Sequence, residues 1–148
     1  MTKKDWYSVG FLRLEGLVFV AFGLYLFASL EVSWVWFLLL IMLPDISMFG
    51  YLFNKKIGAI IYNLGHSLIL PFCLLFINAL LLDKYNNLHV MVPTPEYYYT
   101  LVDALFVSVA VWIAHIGMDR ALGFGLKTSE GFHHTHLGII GKKTNSEK

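Results

Sequence analysis

Four ionisable side chains in this sequence stand where such groups are expensive. His115 and Asp119 close the apolar run that ends Trp112-Ile-Ala-His-Ile-Gly-Met-Asp-Arg120, and their four-residue spacing stacks imidazole over carboxylate on one face of a helix. Asp45 follows Pro44 inside a second apolar run, and His66 interrupts a third, one turn beyond Asn63. An ionisable group at the centre of a bilayer costs at least about 2.5–3.5 kcal/mol unless it is paired or wetted. Two imidazoles and two carboxylates converging on a small cavity are a donor set for a borderline divalent metal, with Zn²⁺ preferred and Mn²⁺ or Fe²⁺ suited where carboxylates dominate. A metal there would lower the pKa of a bound water and supply a hydroxide nucleophile without any Ser or Cys. Glu15, in the opening turns of the first apolar run, is a further carboxylate within reach of such a cavity.

The elements that must hold these groups are membrane helices. The chain has 148 residues, 57% of them hydrophobic and 16% aromatic, and a mean hydropathy of +0.65. A water-soluble core of that size could not cover so much apolar surface, so lipid is the expected solvent. The net charge of +1 leaves no basic face for nucleic acid. The lone Cys73 excludes a disulfide framework and reads as a packed small hydrophobe. The segment 11–30 carries Arg13 and Glu15 in its apolar start and no A-x-A-like site after it, unlike a cleavable signal peptide. The runs predict an all-α, single-domain, four-helix bundle over 1–148, with helices at about 11–30, 34–53, 57–82 and 100–118 and a polar segment at 120–148. Pro44 predicts a kink in the second helix and Pro71 a bend in the third. Asp83 to Tyr99 reads as the longest loop, with Tyr97–Tyr99 as an interface belt. Ala110, Ala114, Gly117 and Ala121 make a stripe of small residues suited to close helix approach.

Four helices put both termini on one side. Lys3, Lys4, Arg13, Lys55, Lys56, Arg120, Lys127, Lys142, Lys143 and Lys148 fall on that side and only Lys84 on the other, so the positive-inside rule makes it cytoplasmic. Asp45 and His66 then lie about 15 Å below the Lys55-Lys56 turn, at 1.5 Å per residue, and His115 about 7 Å from Arg120. The ionisable residues of all four helices gather in the cytoplasmic half. The glycines after Arg120 allow the segment carrying His133, His134 and His136 to fold back, lidding the cavity or adding an imidazole. Each polar residue taken alone also has a plain structural reading as interhelical glue, Arg13 and Glu15 as a snorkelling or mutually paired couple, and the terminal histidines as a solvated tail. Convergence from separate helices at matching depths is what argues for a site.

The motifs Arg13-Leu-Glu-Gly16, Pro44-Asp45-x-Ser47-Met48-x-Gly50-Tyr51, Tyr62-Asn63-x-x-His66, His115-Ile-Gly-x-Asp119-Arg120-x-Leu-Gly-x-Gly-Leu-Lys127 and Gly131-Phe132…Thr135-His136-Leu137-Gly138 together resemble a small bacterial membrane family, domain of unknown function 4260. The resemblance runs from the first helix to Gly138 and implies a multi-pass protein of the bacterial plasma membrane, with no established activity. It implies that Glu15, Asp45, Asn63, His66, His115, Asp119, Arg120, Lys127 and His136 are signature polar positions, and favours His136 over His133 and His134. His-x-x-x-Asp with an upstream His is also similar to a pattern in membrane-bound metal-dependent hydrolases. The repeated histidine boxes of membrane di-iron desaturases are missing from the sequence.

These readings converge on a metal-dependent hydrolase of a lipid-like or amphiphilic substrate, its polar pocket open to the cytoplasm. His66, His115, Asp119 and His136 are the expected metal ligands. Asp45 (as ligand or base) and Glu15 are the expected catalytic carboxylates, and Arg120, Lys127 and Asn63 the expected substrate contacts, with the two cations placed for an anionic headgroup. The expected partners are the bilayer and the amphiphile. Two alternatives stand beside this: a small transporter or ion-binding subunit, for which four helices would call for a homo-oligomer, and a non-catalytic accessory protein.

Overall fold

A computed structural model describes residues 3–89, 96–136 and 138–140. The order is α1 (Lys3–Ala28), α2 (Trp34–Leu40), a 3₁₀ helix (Leu43–Leu52), α3 (Lys55–His66), α4 (Ile69–His89) and α5 (Glu96–Leu122), then a two-stranded ribbon of β1 (His134–Thr135) and β2 (Gly138–Ile139). Four stretches are long and apolar enough to cross a membrane: Tyr7–Ala28, Trp34–Leu52, Lys55–Lys84 and Leu101–Leu122. The chain is an all-α four-helix membrane bundle.

Both prolines act four residues upstream of themselves. A proline lacks the N–H that would bond the carbonyl four residues back, and its ring collides with that carbonyl. Accordingly α2 ends at Leu40, four before Pro44, and α3 gives way to an extended Ser67 (φ −89, ψ 145), four before Pro71. The bend expected at Pro71 itself therefore lies just after His66, and Pro71 sits in the first turn of α4. After the first break the second span continues as a ten-residue 3₁₀ helix, far longer than the usual three or four residues. Its period of three residues gives three straight faces. Leu43, Ile46, Phe49 and Leu52 are all more than half exposed and face lipid. Pro44, Ser47 and Gly50 line the side toward α3, where Gly50 and Gly58 are both buried. Asp45, Met48 and Tyr51 form the third face.

The predicted small-residue stripe is the main seam. A Cβ on Gly117 would stand 2.6 Å from the Val20 nitrogen, and one on Gly16 would stand 2.5 Å from the Ala121 nitrogen, so the backbones of α1 and α5 touch. Ala110, Ala114 and Ile113 are buried along α5. Asn78 of α4 donates to the Val102 carbonyl (3.0 Å), a polar tie between spans.

Three expectations need correction. Asp83 to Tyr99 is mostly helix: α4 runs on to His89 and α5 begins at Glu96, with Pro93 and Pro95 outside the described residues. The side chains of Tyr97–Tyr99 lie outside the described residues, as do Lys142, Lys143 and Lys148. The fourth helix extends past Met118 to Leu122, which keeps Asp119 and Arg120 in its last turn. Cys73 is exposed on the lipid side of α4, not packed.

Candidate metal centre

Asp45 Oδ1, His66 Nε2 and His115 Nε2 form a near-equilateral triangle, with edges of 3.3 Å (Asp45–His66), 3.2 Å (His66–His115) and 3.6 Å (His115–Asp45). They come from the 3₁₀ helix, the last turn of α3 and the penultimate turns of α5. His66 is 4% exposed and His115 1%, so water does not solvate the pair. Asp119 Oδ2 stands beside the triangle, 3.5 Å from His66 Nε2 and 4.0 Å from His115 Nε2.

Hydrogen bonding settles the state of His66. Its Nδ1 lies 3.0 Å from the Tyr62 carbonyl, which can only accept, so Nδ1 carries the proton and Nε2 presents a lone pair in the neutral ring. That lone pair faces two carboxylate oxygens and the second imidazole. Without a metal, a protonated His115 Nε2 can donate to it at 3.2 Å, His115 Nδ1 having no partner among the described residues; a cation at the centre would take that proton's place. A tetrahedral zinc ion with ligands at 2.0–2.1 Å would hold them about 3.3 Å apart, close to the edges of this triangle. Asp45, His66 and His115 thus lie close enough to hold a metal ion.

Tyr62 supports this centre twice. Its ring stacks on His66, one helical turn away, at 3.7 Å and 11°, and its hydroxyl donates to Asp119 Oδ2 at 3.1 Å. The fixed tautomer and the held carboxylate are the supports that ligating groups usually have. Tyr62 was visible only as a member of the Tyr62-Asn63-x-x-His66 motif. Its signal was the i, i+4 spacing to His66, which puts the two rings on one face.

The remaining predicted residues divide. Asn63 clamps the backbone of Lys127, with Nδ2 donating to the carbonyl (2.9 Å) and Oδ1 accepting from the N–H (2.7 Å). Its amide is thereby fully engaged in pinning the returning chain. That return starts at Gly123, whose φ of +92 ends α5, with Phe124 N–H bonding the Asp119 carbonyl (2.7 Å) and Gly123 N–H that of Arg120 (3.0 Å). The segment then folds back, bridging Lys127 to Thr135. Lys127 is 7% exposed, its ammonium 4.3 Å from the Phe132 ring centroid and 5.1 Å from that of Tyr62. Burial lowers its pKa from the usual lysine value, against the opposing pull of Asp119 and Asp45. The lid expected from the C-terminal segment thus exists, but Lys127, Phe132 and Ile140 provide it, above a cavity of about 360 Å³ that Asp45, His115 and Asp119 also line.

Glu15, Arg120 and His136 are not brought to the triangle. Glu15 pairs with Arg120 (Oε2–Nη1 3.7 Å) at the α1–α5 seam, and not with Arg13 as the plain structural reading had it. Arg120 therefore does not join Lys127; with His136 it lines a cavity of about 100 Å³ whose wall also includes His66, Asp119 and Tyr62. His136 Nδ1 faces the Leu126 carbonyl at 3.4 Å, and the ring is exposed. His134 pairs with Glu130 (2.9 Å). Position in the chain gave no hint of this, because the strand turn that sets these rings is local to the ribbon.

A triangle of one carboxylate and two imidazoles within a helical membrane bundle defines the class: a multi-span membrane protein with a buried candidate metal site. Residues 10–140 match the family described as Domain of unknown function (DUF4260), and the chain belongs to that family. No curated protein and no solved structure matches the chain.

Proposed function

We propose that this protein is a membrane enzyme that cleaves an amphiphile by metal-assisted hydrolysis, with its termini and the Lys55-Lys56 turn in the cytoplasm. The observation carrying the reading is the Asp45–His66–His115 triangle with the His66 lone pair turned into it. These three residues would hold the metal, Zn²⁺ by donor type, and three protein ligands with a free fourth position is the arrangement of catalytic zinc. Such an ion supplies a water that ionises near neutral pH. Asp119, held by Tyr62 and 3.5 Å from His66 Nε2, would take the proton from the attacking water and return it to the leaving group. Asp45 is thereby the ligand and Asp119 the base.

A serine triad through Ser47 is disfavoured. Ser47 Oγ lies 3.3 Å from His66 Nδ1, but that nitrogen already carries a proton directed at the Tyr62 carbonyl and cannot act as base. The transport reading is also weakened, since the cavity deeper in the bundle is lined by Leu40, Leu43, Pro44, Val111 and Trp112, with only Ser47 and Ser108 as polar side chains.

Elemental analysis of the detergent-purified protein tests the metal. We expect close to one equivalent of Zn²⁺, lost in Asp45→Asn and in His115→Ala while helicity and elution volume are kept. Protein that holds none, and takes up none on titration with Zn²⁺, Mn²⁺ or Fe²⁺, refutes the reading.

A further inference from the structure

The cavity of about 360 Å³ beside the triangle has two kinds of boundary. At the end toward Lys55 it is lined by Lys127, Phe132 and Ile140, all from the strap of chain that follows α5. Three contacts hold that strap down. Asn63 bonds both backbone groups of Lys127 (2.9 and 2.7 Å), the Phe132 ring stands edge-on to Tyr51 at 5.4 Å, and Gly131 lies against the Lys55 side chain. A lysine free to do so snorkels to water. The ammonium of Lys127 instead lies over the Phe132 and Tyr62 rings, and the residue is buried, so the strap is closed.

The side of the cavity is bounded differently. α5 packs closely on α1 but meets the second span at only a few points. Met42 of the second span and Leu122 of α5 both line the cavity, and both are more than half exposed within stretches that cross the membrane. What they are exposed to is lipid. Met42, Met48 and Met118 bring three thioethers to the lining, adaptable contacts for flexible hydrocarbon. We propose that the strap shuts this cavity to water while the gap between the second span and α5 opens it sideways to the leaflet on the Lys55 side, so that its occupant is a lipid drawn from that leaflet. A water-soluble ligand would have to lift the strap; a lipid enters between Met42 and Leu122. That this lipid is also what is cleaved rests on the hydrolase reading, whereas the sideways access needs no metal.

Cysteines read the two routes. In a Cys73→Ser background, Met118→Cys places a thiol in the cavity, and Met48→Cys on the facing wall replaces it should it not fold. Cys73 in the unaltered protein reports the lipid face, and Ser129→Cys, exposed on the strap, reports water. Nanodiscs leave both membrane faces open to solvent, and EDTA ensures that no metal shields the thiol. Dodecyl methanethiosulfonate, which partitions into lipid, should label the cavity thiol within about tenfold of the Cys73 rate. Sulfonatoethyl methanethiosulfonate, charged and water-soluble, should label it about a hundredfold more slowly than Ser129→Cys. Loosening the strap by Asn63→Ala or Phe132→Ala should raise the charged reagent's rate about tenfold or more and leave the dodecyl rate unchanged. Three results would overturn the proposal: charged labelling of the cavity as fast as that of Ser129→Cys, no labelling by the dodecyl reagent, or a charged-reagent rate unmoved in whichever strap variant elutes as folded protein. Zinc content, measured before EDTA is added, separates the two ideas. Lipid-side labelling in protein that binds no metal keeps the access and removes the cut; bound metal with free labelling from water does the reverse.

Discussion

Tyr62→Phe removes one oxygen and leaves everything else in place. The phenyl ring still stacks on His66 and still lies beneath Lys127, but Asp119 loses the hydroxyl that donates to it at 3.1 Å. A hydrogen bond to a charged group in a partly buried site contributes about 1.5–3 kcal/mol. Asp119 is the proposed base and not a ligand, so the loss falls on proton transfer, and about 1.5–3 kcal/mol corresponds to a rate factor of about 10–150. We therefore expect kcat on the amphiphile to fall about 10- to 150-fold, with bound Zn²⁺ and the melting profile of the metal-free protein little changed. The route of the effect is testable by a double-mutant cycle. In an Asp119→Asn background the same substitution should be nearly silent, because its partner has lost its charge. A change under threefold in the wild-type background, or an undiminished change in the Asp119→Asn background, would refute the idea that Tyr62 acts by holding Asp119.

Other outcomes follow from the same contacts. Asn63→Ala breaks both bonds to the Lys127 backbone and should speed amide exchange and protease cleavage within 124–136, while the four spans stay protected. Gly117→Leu forces a side chain into the Gly16–Val20 backbone and should prevent stable α1–α5 association, read as loss of the monodisperse species on purification.

The four spans were legible because each is a long apolar run, and the α1–α5 seam because small residues recur at helical spacing. The convergence of Asp45, His66, His115 and Asp119 was legible from depth alone, since isolated ionisable groups in lipid must find one another. Periodicity could not assign the second span's winding, because its lipid face and its packing face are both apolar. Only Asp45 and Ser47 break the pattern. Nor could the sequence separate Lys127 from Arg120, two cations beyond the same helix end: one is carried over the cavity by a turn at Gly123 and a clamp at Asn63, the other stays on α5 against Glu15. Glu15 was grouped with the site because depth says nothing about direction around the bundle axis. His136 was grouped with it because nothing in the sequence says which way a two-residue strand turns its side chains.

The unusual winding of the second span also sets its length. Ten residues rising about 2.0 Å each reach about 20 Å, whereas an α-helix of equal length would reach about 15 Å. Trp34–Leu52 can thus cross the hydrocarbon with 19 residues. Rewinding to the shorter form would swing Tyr51 about 120° away from Asp45 and carry the aspartate off its two histidines.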